Sequence, residues 1–381
     1  MDFSLTDEQQ ALRAAVTEFA RNELNAGLLE RERDGTFSRS GWDKCAEFGL
    51  LGLPIPEEYG GAGSDILTTI VALEALGYGC ADNGLVFSLN AQLWAVESPI
   101  ARFGSEEQKQ RYLPALCRGV SIGAHAMSEP GSGSDAFSLT TTAEETSAGY
   151  VLRGSKTFVT NAPEADVFLV FATTNPARGF ASLCAFLVAR DTPGLAFGTP
   201  IEKMGLRTSP MSELYLDGCE VAREQLLGRP GNGMAIFNAA MRLERACILA
   251  SCVGAMQRQL ERAIEYARER KQFGQPIGSF QSVSQKLVDM KLRLETARLL
   301  LYKVGWLIDR GESATLEAAL VKLHLSESFL QSSLDALQVH GGYGFMTEYE
   351  LERDVRDAVG GRLYSGTSEM QRNIVARALG L

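Results

Sequence analysis

The chain has 381 residues, of which 45 % are hydrophobic and 22 % charged, with a formal net charge of −10. This length predicts two or three domains, and the composition supports large buried cores and excludes a disordered chain. The acidic balance excludes a nucleic-acid-binding protein, which needs a basic face, but leaves room for local Arg and Lys clusters that hold anions.

Residues 1 to about 120 read as helical. Thr6 followed by Gln9 is a capping-box pattern, after which Leu12, Val16, Phe19 and Ala20 recur at helical spacing. Ser40 is the expected cap of a second helix through Trp42, Cys45 and Phe48. The punctuator-rich stretch 54–63 is a loop, and helices follow over 67–77, 85–103 and 106–116. From about 121 the character changes to short strand-like runs: 140–143, 149–153, 158–160, 167–172, 183–188, 197–201 and 213–216. They are separated by Gly, Pro and Asn and read as a compact β-barrel or sandwich. A Gly/Pro-rich joint at 227–233 ends it. Long helices then predict a bundle over about 234–270, 280–310, 314–339 and from Ser368. The expected class is α+β, with an N-terminal helical domain (1–120), a middle β-barrel or sandwich domain (121–232) and a C-terminal four-helix bundle (233–381).

Within the third part, residues 239–254 form a run of small and apolar residues without proline that nevertheless contains Arg242, Glu244 and Arg245. Charges are rarely buried without a partner or a task. Glu244 therefore reads either as half of a buried ion pair or as a base whose pKa a dry cavity raises.

Five further clusters stand out, the first three with two readings each. Residues 126–135 combine hydroxyls, glycines and open backbone N–H groups able to hold a flat polar ring or an anion, or else form a turn. Residues 154–161 offer Phe158 for stacking and Thr160 for an edge hydrogen bond, or a strand with one core aromatic. Residues 268–274, with Gln281 beyond, place basic groups beside Phe273, which suits a phosphate-bearing nucleotide or a solvated helix end. The glycine turn 338–344 is the fourth. In the fifth, 364–372, Gly366 opens a helix whose N–H groups can face a pyrophosphate.

Seven dispersed cysteines contain no CxxC pair, so free thiols in a reducing cytosol are expected. His125, His324 and His340 are too few and too scattered for a metal site, and no metal is expected. His125 and His340 read as packing or hydrogen-bonding residues rather than catalysts. No apolar run reaches membrane-spanning length and no signal peptide is visible, so a cytoplasmic chain without membrane insertion is the expectation.

The order and spacing of the clusters are specific. Met127-Ser-Glu-Pro-Gly-Ser-Gly-Ser-Asp135, Gly154-x-Lys-x-Phe-Val-Thr-Asn161, Lys203-Met-Gly-Leu-Arg207, Arg270-Lys-Gln-Phe-Gly274, Gln338-x-x-Gly-Gly342 and Gly366-Thr-Ser-Glu369 together resemble the acyl-CoA dehydrogenase family over essentially the whole chain. The resemblance implies FAD between the β domain and the bundle. His125, Met127, Ser128, Gly133, Ser134, Phe158, Val159 and Thr160 would surround the ring and ribityl part. Arg270, Phe273, Phe280, Gln281, Gln338, Val339, Gly341 and Gly342 would meet the FAD of a neighbouring subunit, and Thr367 and Glu369 would also contact FAD. A homotetramer, as a dimer of dimers, is implied, with an electron-transfer flavoprotein or similar acceptor as partner.

The implied reaction is α,β-dehydrogenation of an acyl thioester, an α-proton passing to a base and a β-hydride to flavin N5. The expected substrate contacts are Ser134, Arg242, Arg245, Ser365 and Gly366. Many members place the catalytic Glu directly before Gly-Thr, where this chain has Ser365. A minority, including the isovaleryl and long-chain enzymes, place it on the preceding long helix in a Leu-Glu-Arg context, matched here by Leu243-Glu244-Arg245. Glu244 is accordingly the expected base. Arg242 replaces an Asp that many members carry near the pantetheine, so it signals either a carrier-protein-bound acyl or prolyl substrate in place of acyl-CoA, or a surface salt bridge. A non-catalytic flavoprotein or assembly partner is the reading from another class.

Overall fold

A computed structural model describes residues 4–381. Seven helices come first: α1 (Asp7–Glu23), α2 (Leu28–Asp34), α3 (Arg39–Glu47), α4 (Ile66–Gly79), α5 (Asn83–Gln92), α6 (Ser98–Phe103) and α7 (Glu106–Cys117). Thr6 and Gln9 form the expected reciprocal cap of α1. α3 is capped by Ser38, not Ser40, because Ser38 Oγ accepts the Gly41 N–H. The apolar run over 85–103 is interrupted by a π-helical turn at Leu93–Glu97 that separates α5 from α6.

Eight strands follow: β1 (Gly123–Ala126), β2 (Thr142–Glu145), β3 (Gly149–Thr160), β4 (Val167–Thr173), β5 (Leu183–Ala189), β6 (Leu195–Phe197), β7 (Met211–Ala222) and β8 (Leu226–Leu227). They form one mixed sheet in the order β6-β7-β3-β2-β4-β5-β8, with β1 parallel to β4. The runs 149–153 and 158–160, expected as two strands, belong to the single twelve-residue β3. The pairing with β7 shifts register between Lys156 and Val159, and that irregularity turns Phe158 outward.

The C-terminal part comprises α8 (Gly233–Cys247), α9 (Ala250–Glu269), α10 (Gln281–Asp309), α11 (Thr315–His340), α12 (Leu351–Gly360) and α13 (Ser368–Ala378). A small hairpin of β9 (Lys271–Gln272) and β10 (Gln275–Pro276) separates α9 from α10. Helices α8 to α11 pack on one another, with α12 and α13 against α11. The single helix expected over 234–270 is broken at Ile248 and Leu249, between α8 and α9. Neither proline nor glycine marks that break, so packing rather than local propensity sets it.

The three parts are locked together. α4 crosses α9 so closely that a Cβ at Gly254 would lie 2.0 Å from the Glu74 carbonyl oxygen. Glu74, buried, is held by Arg298 at 2.8 Å and Tyr302 at 2.9 Å on α10. The Lys203–Arg207 motif ties the sheet to α12, since the Leu206 N–H donates to Asp357 at 2.6 Å and Gly205 lies against the Arg356 carbonyl.

Candidate active site

Glu244 lies on the last turns of α8 and faces inward, 8 % exposed. It forms no ion pair among the described residues, so the reading of Glu244 as half of a salt bridge does not hold. Its Oε1 accepts a hydrogen bond from Ser365 Oγ at 2.5 Å. Its Oε2 is buried with no hydrogen-bond partner. Burial raises the carboxyl above its ordinary pKa; the Ser365 hydrogen bond and the charges of Arg245 and Lys322 oppose that rise without cancelling it. A dry carboxylate with one oxygen tethered and the other available has the character of a general base.

Ser365 reaches the same point from a distant stretch of chain. It sits at φ 54°, followed by Gly366 at φ 87°. Gln371 Nε2 holds the turn by donating to the Gly366 carbonyl at 2.8 Å and the Ser365 carbonyl at 3.3 Å. Thr367 caps α13 by accepting the Met370 N–H, and Glu369 stands exposed in that first turn. Lys322, on α11, went unnoticed in the sequence because one Lys in an amphipathic helix carries no signal. It is fully buried and donates to the Gly361 carbonyl at 2.7 Å, anchoring the segment that leads to Ser365. Arg245 is partly buried with its Nε unpartnered, and Arg242 forms no ion pair among the described residues, so the salt-bridge reading of Arg242 falls away.

A second group forms around the loop 127–134. Lys156 and Glu129, both buried, pair at 2.8 Å. Glu129 also accepts from the Thr140 N–H and hydroxyl and the Thr141 N–H, while Lys156 donates to the Met127 carbonyl at 3.2 Å. Burial opposes both charges; on Glu129 the Lys156 charge and the hydrogen bonds prevail and pull its pKa down to about 2. Burial lowers Lys156 to about 8, with Glu129 offsetting part of the fall. The sequence motifs contain both residues, but only the fold reveals that they pair.

The Thr157 N–H donates to the Ser128 carbonyl at 2.9 Å, which lays the loop against β3 beside Phe158, Val159 and Thr160. Phe158 adopts φ 54° and its ring is 64 % exposed. Val159 points into the core. At Gly131 and Gly133 no atom lies within 4 Å of where a Cβ would stand. Ser128 and Ser134 place hydroxyls on this loop. His125 lies below it, ringed by Phe171 and Phe237, its Nε2 unpartnered; burial, aided by the Lys156 charge, lowers its pKa to about 4, so the ring is neutral. The two groups meet through α5: Phe87 lies 4.6 Å from the Tyr364 ring, and Asn161 donates to the Ser88 carbonyl.

The remaining expected residues lie elsewhere. Arg270, Val339, Gly341 and Gly342 line a surface depression of about 480 Å³, with the Arg270 guanidinium over the Tyr343 ring. Phe273 is 93 % exposed and packs edge-on with Phe280; Gln281 opens α10, and Gln338 is exposed beside the depression. This hairpin has no substantial packing against β1 or β3 in the same chain. His340 stacks on Tyr266 and bonds the Ala336 carbonyl, a packing role as expected.

The exposed Phe158 ring, the open glycine backbone and the flanking hydroxyls fit a flat, polar-edged tricyclic ring such as the isoalloxazine of FAD. A helical–β–helical scaffold carrying such a platform and a dry carboxylate defines a flavin-dependent oxidoreductase acting on an activated CH–CH unit. The chain belongs to the acyl-CoA dehydrogenase family: the family's N-terminal, middle and C-terminal domain models match residues 6–120, 124–219 and 231–380. It is an FAD-dependent enzyme that dehydrogenates an acyl thioester. It is 43 % identical over the full length of both chains to an L-prolyl-[peptidyl-carrier protein] dehydrogenase of Pseudomonas fluorescens. Among solved structures it resembles the prolyl acyl carrier protein oxidase AnaB, with TM-score 0.98 and 50 % identity over 99 % of this chain and 100 % of that one. It also resembles PigA with FAD and proline, with TM-score 0.98 and 42 % identity over the whole of both chains. No helix among the described residues is long and apolar enough to cross a membrane.

Proposed function

We propose that this enzyme dehydrogenates a prolyl group held as a thioester on a carrier protein, with Glu244 as the base. The observation that carries the role of Glu244 is its buried, unpartnered Oε2. The substrate is supported by the two prolyl carrier-protein relatives, each matched over essentially its full length, and by Arg242, two residues before Glu244 on the same helix and without an ion pair among the described residues.

In this reading Glu244 Oε2 takes the proton from the carbon next to the thioester carbonyl. FAD, when bound, supplies the acceptor for the β-hydride. Met127–Ser134 and Phe158–Thr160 hold the ring system, with Glu129 and Lys156 keeping the loop in shape. Tyr364 and Phe87 close the pocket against water and keep Glu244 dry. Ser134, Arg245 and Gly366 flank the thioester, and Arg242 stands toward the carrier tether. Electrons leave to an electron-transfer flavoprotein or a similar acceptor. The expected result is that prolyl thioester on a carrier protein bleaches the flavin at least tenfold faster than prolyl-CoA or a short acyl-CoA, a ratio of about 1.4 kcal/mol in transition-state binding. Equal or faster anaerobic reduction by the CoA esters would return the substrate to acyl-CoA. Yellow protein that no thioester reduces would favour the non-catalytic flavoprotein.

The domain limits 1–120, 121–232 and 233–381 are part of the same proposal, supported by the chain passing from α7 to β1 between Cys117 and Gly123 and from β8 to α8 between Leu227 and Gly233. So is a homotetramer in which Arg270, Phe273, Phe280, Gln281 and the 338–342 turn contact a neighbour's FAD. An almost fully exposed Phe beside an Arg-lined depression supports it. Light scattering should give four chains per particle, and Phe273→Ala should weaken FAD retention; a monomer that retains FAD normally would overturn this assignment.

A further inference from the structure

We propose that Ser365 is a positioning residue for the base: its hydroxyl tethers Glu244 Oε1 so that Oε2 is the oxygen presented to the substrate. The inference rests on the reading of Glu244 as the base. Among the described residues, Ser365 Oγ is the hydrogen-bond donor to this carboxylate, at 2.5 Å, while Oε2 has none. A hydrogen bond to an ionised group is strong and directional, so it selects one rotamer of a side chain that otherwise swings on three torsions.

The backbone is arranged for this contact. Serine is not a residue that favours φ 54°, yet the turn is held there from three sides. Gln371, fully buried, clamps the Ser365 and Gly366 carbonyls. Lys322 clamps Gly361 upstream, and Thr367 starts α13 immediately downstream. A Cβ at Gly366 would lie 2.7 Å from Gln371 Nε2, so the clamp requires the glycine beside it.

The charged and titratable groups facing Glu244 are Arg245 on its own helix, Lys322 from α11 and the Tyr364 phenol from the turn after α12. None of them makes a hydrogen bond to the carboxylate. Arg245 and Lys322 favour its ionised form from a distance, and Ser365 does so by contact. Without the hydroxyl, both oxygens would be buried and unpaired, and the neutral acid would be favoured over a wider pH range. A protonated Glu244 cannot accept the α-proton, so the hydroxyl extends activity toward lower pH.

The test uses FAD-loaded protein with Ser365→Gly and Ser365→Ala. Glycine relieves the left-handed backbone and alanine keeps the Cβ, so an effect common to both belongs to the hydroxyl. In substrate-free protein, the carboxyl infrared band that Glu244→Gln lacks is titrated. Its midpoint is expected to rise by about one pH unit in both variants. The acidic limb of anaerobic flavin reduction by prolyl carrier-protein thioester should rise by the same amount, with the rate well above the limb within about tenfold of the parent. An unmoved midpoint and limb in both variants would overturn the positioning role, as would a fall. Wild-type bleaching by Glu244→Gln would instead overturn the base assignment, leaving the infrared midpoint to decide the Ser365 contact by itself.

Discussion

Glu244→Gln is expected to keep FAD bound and the fold intact while flavin reduction by substrate falls about a thousandfold, inside the ~10²–10⁴ range for a positioned base. Glutamine is nearly isosteric with glutamate, and its amide can still meet the Ser365 hydroxyl, so packing around α8 survives. What it lacks is a lone pair basic enough to take a proton from carbon. Serine at 365 cannot substitute, because its hydroxyl is already committed as a donor to position 244 and is itself a poor base. The visible spectrum of the purified variant checks cofactor retention, and anaerobic mixing with thioester checks the chemistry. Full bleaching at the parent rate would remove Glu244 from the mechanism.

Lys156→Met is expected to be the most damaging single change to the cofactor platform. It leaves Glu129 buried with an uncompensated charge, a loss of about 3–5 kcal/mol for a broken buried pair. The damage reaches function because the same ammonium also holds the Met127 carbonyl. The loop 127–134 would lose its fixed shape against β3, and FAD would be released more readily. Two measurements separate the parts: the denaturant midpoint of the apoprotein reports stability, and fluorescence of released flavin reports affinity. Glu129→Gln added to Lys156→Met should recover part of the stability, since the amide needs no counter-charge and its one carbonyl oxygen can still accept from the Thr140 N–H and hydroxyl, while its NH2 group cannot accept from Thr141. A double variant no more stable than Lys156→Met would show that the pair is not the source of the loss.

The two effects differ in kind. Glu244 acts on the reacting carbon and tolerates a neutral isostere in the fold. Lys156 touches no reacting atom, yet the platform depends on it, because removing it leaves the Glu129 charge buried without compensation.

Much of this was legible in the chain itself. Helical spacing around Val16 and Ala20, short strand-like runs in the middle third and glycine-rich joints are local properties, so the helical–β–helical order followed from them. The family resemblance rested on short motifs whose residue types are dictated by chemistry, such as glycines and hydroxyls at 127–135 and an aromatic at 158, and the carboxylate at 244 stood out separately as a charge within an apolar run. Those types are visible without coordinates. The break between α8 and α9 was not visible, because no Pro or Gly encodes it. Nor was the π-helical turn at 93–97, or the merging of two strand-like runs into β3, where a register shift rather than a turn separates them. The Lys156–Glu129 pair, 27 residues apart, and the anchoring of Gly361 by Lys322 were equally hidden.

The sequence by itself determined which chemistries this chain can carry out, since acid, base, stacking and phosphate-holding groups are set by side-chain type. Only the tertiary structure decided which carboxylate is dry, which of its oxygens is tethered and which hydroxyl tethers it. Those are properties of distance and burial between residues 121 positions apart in the chain, and no local pattern of composition specifies them.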